Sequence, residues 1–335
     1  MANIAKPGEV RKRAVHLSWE VLLAVILIGS LVLGRVLSSV FLEADNLSNI
    51  LLDITEISLM ALPMTFIIVT GEIDLSVASV LGASSALMGV LWHAGLPMPW
   101  AMALAIAGGA AAGFLNGWII VRLNLPSLAV TIGTLALFRG LAYVLLGDHA
   151  VADFPASYTA FGMNALGSTF IPLPFTIVIV GAVLFAVVLH ATPFGRSLYA
   201  IGANPSAARF SGIDVEKIKL RLFVLSGIVS AIAGIVFTLR FTSARGDNGE
   251  GFELAVIAAV LFGGVSIFGG RGSLYGVLLS LLIVGVLRNA LTLVDVSSET
   301  LTIVTGLLLL SSVLIPNLVA GWRARKDRLH AATQR

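Results

Sequence analysis

The sequence has no cysteine among its 335 residues. This absence excludes thiol catalysis, cysteine-based metal sites and disulfide bonds, and it says nothing more about the compartment. Charged residues are scarce too, at 12% of the chain, whereas hydrophobic residues make up 58% and the mean hydropathy is +1.00. Because a soluble domain of this length needs far more polar surface, the composition predicts an integral membrane protein.

The motifs of nucleotide-binding proteins and of enzymes are also missing. The sequence contains no G-x-x-x-x-G-K-[ST] motif, and its G-G-R-G run at 269–272 follows a hydrophobic span rather than a strand, so we expect no ATP site in this chain. The five histidines lack metal-ligand spacing, and H-E-x-x-H is absent. We therefore predict no catalytic residues, no metal site and no cofactor bound by the chain itself.

Hydrophobic runs of about 17–25 residues, the length that crosses a bilayer, occur ten times. They lie at 18–38, 48–69, 75–92, 98–121, 126–146, 171–189, 222–239, 252–268, 274–291 and 301–318. The first run follows basic residues but lacks a clear small-residue cleavage site, so we interpret it as a membrane helix and not as a signal peptide. The predicted fold is an all-α, polytopic membrane protein, with an N-terminal tail at 1–17, a permease-like domain at 18–318 and a basic tail at 319–335.

The distribution of charge predicts the orientation. With both termini in the cytoplasm, the cytoplasmic segments hold 16 of the 21 Lys and Arg residues, as the positive-inside rule requires. The formal charge of +3 is therefore accounted for by clusters beside the spans and does not indicate nucleic-acid binding. All five tryptophans fall at predicted span ends, where amphipathic rings prefer to lie.

Two halves of the chain show weak internal similarity. A pattern of Gly, Asn, Ser and Thr over 113–134 is echoed over 285–306, and the predicted topology gives spans two to five the opposite orientation to spans seven to ten. This combination indicates inverted repeats, which line a central pathway in many transporters. The glycines at 263–264 and 269–272 allow either close helix packing or a broken helix in this region.

Ionisable residues near or inside the spans are the candidates for function. Glu72 and Asp74 lie in a predicted cytoplasmic turn, where Asp74 is expected to cap the third span. Glu56 and Arg139 lie at matching depths, about two turns inside the outer ends of their spans, so they either pair, share a hydrated cavity or reach the interface separately. The candidate pathway residues are Glu56, Asn116, Thr131, Thr134 and Arg139.

A polar, basic segment at 190–221 interrupts the hydrophobic runs on the predicted cytoplasmic side. Asn204 followed by Pro205 predicts a helix start, and Gly212 predicts its end. The helix carries little apolar surface, which favours docking to a soluble partner over lying on the membrane. The candidate docking residues are Gly202, Asn204, Pro205, Ala207, Ala208, Arg209 and Gly212.

Four stretches resemble one family over nearly the whole chain, namely the permease subunits of bacterial carbohydrate ABC importers of the ribose type. The stretches are GEIDLS (71–76), NGWIIVRLNLPSLAVTIGTLALFRGLA (116–142), IGANPSAARFSGI (201–213) and VLFGGVSIFGGRGSLYG (260–276). Within the family the chain resembles the rhamnose-type and autoinducer-2-type permeases, and residues 138–162 and 61–79 favour the rhamnose branch. Most members have Gly-Gly-Ile-Asp-Leu-Ser-Val-Gly where this chain has Glu72 and Ala78 at the second and eighth positions, a further departure from the ribose permease.

The resemblance implies a bacterial inner-membrane importer driven by other subunits. Two ATP-binding subunits would receive the 201–213 helix, a second permease subunit, identical or a sister chain, would complete the pathway, and an extracytoplasmic sugar-binding protein would deliver the substrate. The expected substrate is rhamnose or a related monosaccharide, with autoinducer-2 as the alternative and branched-chain amino acids as a third. An ion-coupled secondary transporter is the alternative from a different class, and it would transport without ATP-binding partners.

Overall fold

The computed structural model describes residues 18–147 and 149–297, together with residues 300, 303, 306 and 307. Within these residues the chain forms thirteen α-helices and no strand, with two isolated β-bridges, Val151 to Ala244 and Ala165 to Pro172. The helices are α1 (Trp19–Leu37), α2 (Ala44–Asp53), α3 (Thr55–Val69), α4 (Val77–His93), α5 (Met98–Leu123), α6 (Ser127–Leu146), α7 (Ala156–Met163), α8 (Leu173–Ala191), α9 (Pro193–Ala203), α10 (Pro205–Phe210), α11 (Val215–Phe241), α12 (Phe252–Phe262) and α13 (Leu274–Thr292).

Six of these helices are long and apolar enough to cross a membrane, and a seventh span results if the bent pair α2 and α3 is taken as one. The prediction of an all-α, polytopic membrane protein is therefore confirmed. The first nine predicted spans each coincide with one helix or with the bent pair. The tenth, at 301–318, and both tails lie outside the described residues apart from isolated positions, so ten spans and the orientation of the termini stay predictions.

Several predicted boundaries were wrong in an informative way. The second span is not one helix, because α2 and α3 meet at Ile54 with a bend of 44°. The eighth ends at Phe262 instead of 268, since Gly263 and Gly264 break the helix. The seventh begins at Val215 instead of 222, because the carboxylate of Asp214 caps its first turn. Hydropathy does not mark these ends, which depend on capping and on backbone conformation.

The core lies around α3, which is buried on almost every side. It packs against α8, α11 and α12, and buried apolar residues of these helices form one continuous cluster. By contrast, α1 and α8 are exposed along much of their length, with large apolar side chains on the outside. This distribution fits a bundle in lipid, where the outer surface stays apolar.

Glycines bring α5 and α11 into close contact. A Cβ atom added at Gly113 would lie 2.9 Å from the carbonyl carbon of Phe223, and one added at Gly227 would lie 2.9 Å from the amide nitrogen of Gly113. Gly109 and Gly117 also face α11. The spacing Gly109, Gly113, Gly117 is the small-residue pattern that allows helix backbones to approach closely in membranes.

The loops divide between two ends of the bundle. One end, here called the inner end after the charge-based topology, carries α9, α10, the turn at 70–76 and the turn at 263–273. The other, the outer end, carries the loops at 147–172 and 242–251, joined by the bridge between Val151 and Ala244. The structure thus groups the loops as the predicted topology does.

Candidate coupling helix and polar core

The short helix predicted after Asn204 is present as α10. The Asn204 side chain accepts a hydrogen bond from the backbone nitrogen of Ala207 at 3.0 Å, and Pro205 occupies the first helical position. The helix stops at Phe210, and Gly212 adopts a φ of 82° just beyond it, a conformation that glycine accepts without strain. The prediction of this helix and of both its ends is confirmed.

Not every predicted docking residue faces outward. Ala208 is only 3% exposed and packs with Ile201 and Val215, so it holds α10 against the bundle. Phe210, which was not among the predicted residues, is 94% exposed. A large apolar side chain beside a helix-ending glycine was the available signal for it.

Ion pairs hold the C-terminal part of α10 next to the start of α11. Arg209 forms an ion pair with Glu216, the second residue of α11, at 2.7 Å. Asp214, which caps α11, accepts hydrogen bonds from Lys217, and these lower the pKa of the Asp214 carboxyl. The helix α10 is therefore attached to the start of α11.

The sequence analysis did not predict α9, the helix that precedes α10. Thr192 caps it by accepting a hydrogen bond from the Gly195 nitrogen at 3.3 Å, and Leu198 and Ile201 are buried. Residues 190–221 are thus not a loop with one helix. They form two consecutive helices and the first turns of a third.

The turn at 70–76 has a buried carboxylate, and its predicted capping role needs correction. Helix α4 begins at Val77 with no side-chain cap. Asp74, 2% exposed, instead accepts hydrogen bonds from the nitrogen and hydroxyl of Ser76, at 3.0 and 2.6 Å, and from the hydroxyl of Ser226 on α11, at 2.8 Å. These donors satisfy a charge that burial alone makes costly.

Three predicted pathway residues surround the same turn. The amide nitrogen of Asn116 donates to Ser76 Oγ at 2.8 Å. Thr131 Oγ1 donates to the backbone of Ser127 at 2.8 Å, and Thr134 Oγ1 to the backbone of Thr131 at 3.4 Å. All three are buried: Asn116 joins α5 to the turn, Thr131 Oγ1 also lies 3.4 Å from the Ile73 oxygen of the turn, and Thr134 bonds only within α6.

Two polar atoms in this region have no hydrogen-bond partner among the described residues: Asn116 Oδ1 and Ser230 Oγ. Both side chains are fully buried, Asn116 on α5 and Ser230 one helical turn beyond Ser226 on α11. Unsatisfied buried acceptors are uncommon in folded proteins and mark positions that serve a ligand or another conformation.

Glu56 and Arg139 do not pair, so that alternative was wrong. Glu56, 1% exposed, lies 3.3 Å from Arg240 of α11. Arg240 also reaches Asp53, at 2.5 Å, and the backbone oxygen of Leu52, at 2.7 Å. Matching depths of Glu56 and Arg139 along their spans carry no information on the directions in which the two side chains face.

Arg139 is held by backbone oxygens. Its guanidinium donates to Gly246 and Asn248 of the outer loop, at 2.7 and 2.8 Å, and to Ala78 of α4, at 3.2 Å. Glycine at position 82 leaves room for the Arg139 side chain, because a Cβ atom there would lie 2.5 Å from a guanidinium nitrogen of Arg139. Arg139 thus links the first turn of α4 to the loop that precedes α12.

The helices α4 and α12 share a further property. They are the third and eighth predicted spans, which are equivalent positions in the inverted repeat predicted from the sequence. Helix α12 has 11 residues, too few to cross a bilayer alone, whereas α4 is a continuous helix of 17 residues, at the lower limit for a span. Arg139 and Asp74 fix the irregular segments before them.

At the inner end a cavity of about 290 Å³ opens beside α10. Glu72, Arg209, Glu216 and Lys219 line it, and Lys219 forms an ion pair with Glu72. In the part of the chain that the structure covers, no group of three or more His, Asp or Glu side chains is placed to hold a metal ion.

An apolar helical bundle with a capped helix at its inner end fits the membrane subunit of a transporter. The chain belongs to the family described as the permease component of the branched-chain amino acid transport system, which matches residues 46–313. It is an ABC importer permease of the ribose and autoinducer-2 type, a multi-pass inner-membrane protein and not an enzyme. The resemblance found in the sequence is confirmed.

Two relatives illustrate the similarity. The ribose import permease protein RbsC of Bacillus subtilis (strain 168) is 38% identical over 287 residues, which cover 85% of this chain and 88% of the relative. The autoinducer 2 import system permease protein LsrD of Escherichia coli (strain K12) is 33% identical over 307 residues, covering 90% and 92%. No solved structure matches the chain.

Proposed function

We propose that the chain forms the membrane pathway for a neutral monosaccharide or a related sugar-like signal, with rhamnose as the first candidate and autoinducer-2 as the alternative. ATP-binding subunits drive it from the inner end through α10, and an extracytoplasmic binding protein delivers the substrate to the outer end. The observation that carries the proposal is α10 itself, a capped helix that presents Phe210 outward and is joined to α11 by Arg209 and Glu216.

The buried polar groups support an uncharged, hydroxyl-bearing substrate. Asn116 Oδ1, Ser230 Oγ and Glu56 Oε1 have no hydrogen-bond partner among the described residues, whereas Glu56 Oε2 contacts Arg240 and the Asp74 carboxyl accepts from serine hydroxyls. Sugar hydroxyls need a few such partners in a mainly apolar passage. The two relatives, a ribose import permease and an autoinducer 2 import permease, agree with this chemistry.

The choice of rhamnose depends on residues 138–162, which form the end of α6, the outer loop and most of α7. The presence of Glu72 where most family members have glycine does not support rhamnose as the substrate, because the Glu72 side chain pairs with Lys219 at the inner end.

Two permease subunits, two ATP-binding subunits and one binding protein make up the proposed importer. The mass of the purified complex distinguishes two copies of this chain from a pair with a sister chain.

Transport assays test the substrate. The complete importer in liposomes is expected to take up labelled rhamnose, and unlabelled rhamnose should compete about tenfold better than ribose or autoinducer-2, a difference of about 1.4 kcal/mol. Stronger competition by autoinducer-2 than by rhamnose would indicate that autoinducer-2 is the substrate. Uptake that persists without ATP-binding subunits would instead indicate an ion-coupled carrier and reject the proposed mechanism.

The docking role of α10 has its own test. Asn204→Ala removes the cap of a helix of only six residues, so we expect the helix to fray and the ATP-binding subunits to bind roughly fivefold more weakly, in line with a cap contribution of about 1 kcal/mol. Surface plasmon resonance on the permease in nanodiscs measures this affinity. Asn204→Ser retains a capping oxygen and is expected to bind as the parent does. Equal affinities for the alanine variant and the parent would argue against docking through α10.

A further inference from the structure

Three backbone segments from distant parts of the sequence meet at the inner end. They are the turn after α3 at Gly71, the end of α9 at Gly202, and the turn after α12 at Gly269 and Gly270. We call these four residues the glycine junction. Gly269 and Gly270 have no part in the transport roles proposed above.

The junction is a direct contact between main chains. The Gly270 nitrogen donates a hydrogen bond to the Val69 oxygen at 2.8 Å. A Cβ added at Gly269 would lie 2.8 Å from the Gly71 nitrogen and 3.0 Å from the Gly202 Cα. A Cβ added at Gly202 would collide with the Val69 oxygen and the Gly270 nitrogen. Side chains are therefore excluded at this point.

Backbone conformation independently requires glycine at three of the positions. The φ angles of Gly71, Gly269 and Gly270 are 82°, 78° and 71°, which other residues adopt only with strain. The two turns consequently accept no other residue at these three positions without strain.

Further hydrogen bonds hold the turn after α12 to the end of α8 and to α9. Tyr199 of α9 donates its hydroxyl to the Gly272 oxygen at 2.8 Å, and burial raises the pKa of this phenol, so it remains a donor. His190 Nε2 accepts a hydrogen bond from the Leu274 nitrogen, the first residue of α13, at 3.3 Å. Its ring stacks on Tyr275 with centroids 4.9 Å apart.

Each of the three segments that meet at the glycine junction adjoins a helix with a proposed role in transport. Gly202 is two residues before Asn204, which caps α10. The turn at Gly71 leads through Asp74 into α4, and the turn at Gly269 joins α12 to α13. One contact therefore connects the proposed docking helix α10 to α4 in the first half of the chain and to α12 in the second half.

We propose that Gly202, Gly269 and Gly270 are the positioning residues that transmit movement of α10 to both α4 and α12. Because the segments touch through main-chain atoms and leave no room for a side chain, a displacement of α9 displaces both turns together and shifts the two halves between their conformations in one step. Coupling of this kind needs a physically continuous element with two arrangements. The inference rests on the proposed docking of ATP-binding subunits to α10.

Gly269→Ala tests the inference in the complete importer, reconstituted with its ATP-binding subunits and binding protein, because Gly269 is not among the candidate docking residues and a Cβ there would lie 2.8 Å from the Gly71 nitrogen. The variant is expected to assemble with the ATP-binding subunits as the parent does. Sugar uptake, and the stimulation of ATP hydrolysis by the loaded binding protein, should each fall by about tenfold, the usual size of a coupling between sites. ATP hydrolysis without the binding protein should continue. Gly140→Ala is the matched control, since its new Cβ meets no atom within 4 Å.

Tyr199→Phe provides a second variant that adds no atoms. It removes only the hydrogen bond to Gly272, so we expect uptake to fall by about fivefold with assembly intact. Parent-like uptake in both variants would overturn the inference, as would a loss of assembly that parallels the loss of uptake. A parent complex that fails to accumulate any sugar with ATP would instead refute the proposed function, whatever the variants do.

Discussion

Replacing Arg240 with leucine is expected to destabilise the chain by about 3–5 kcal/mol, the usual result of removing one partner of a buried ion pair. Arg240 is the only basic partner of Glu56 among the ion pairs of the described residues, and Glu56 is almost completely buried. The change also leaves the Leu52 oxygen, at the bend between α2 and α3, without its donor. Equilibrium unfolding in mixed micelles measures the loss.

Two further variants show whether the buried charge is the cause. Asp53→Asn alters the exposed partner of Arg240, with 53% of the side chain accessible, and should change stability by less than about 1 kcal/mol. The double variant Glu56→Leu with Arg240→Leu removes both buried charges and should recover most of the stability. A double variant as unstable as Arg240→Leu alone would show that packing or the Leu52 contact dominates.

Replacing Gly113 with leucine is expected to separate α5 from α11 and to lower stability by about 3 kcal/mol, the upper part of the range for overpacking. The new side chain would meet backbone atoms of Phe223 and Val224, the latter 3.0 Å from the added Cβ. Backbone cannot move aside as a flexible side chain can, so the two helices must shift apart. Because α11 also carries Ser226, the bond to Asp74 should weaken, and uptake should fall with stability.

Gly133→Leu is the matched control for Gly113. Gly133 lies on α6, is exposed, and has no atom within 4 Å of an added Cβ, so leucine there displaces no backbone of a neighbouring helix. We expect its unfolding and uptake to equal those of the parent. A similar loss in both variants would mean that leucine on any of these helices is harmful, and would contradict the specific contact between α5 and α11.

The sequence predicted the helices well where local physics controls them. Most span limits agree with the structure within two residues, because apolar runs end where polar or turn-forming residues begin. The start of α10 and its glycine stop were predicted, since an Asn-Pro start and a following glycine are local signals. Helix α9 was missed although Thr192 followed by Pro193 is a local signal of the same kind.

The candidate site was predicted in composition but not in its pairings. Asp74, Asn116, Thr131 and Glu56 are all in the buried polar core, as intramembrane polar residues usually are. Their partners are Ser76, Ser127, Ser226 and Arg240. Depth along a span can be counted from the sequence, whereas the direction in which a side chain faces depends on how its helix is rotated against its neighbours.

Composition and local pattern alone determined that this chain lies in a membrane, that it is helical and that it presents a short helix to water. These features follow from transfer of apolar residues out of water and from caps within a few residues. Only the tertiary structure decided that Glu56 pairs with Arg240 and that Gly71, Gly202 and Gly269 meet. Such contacts join residues more than sixty positions apart, and they arise from the packing of whole helices, which no local stretch encodes.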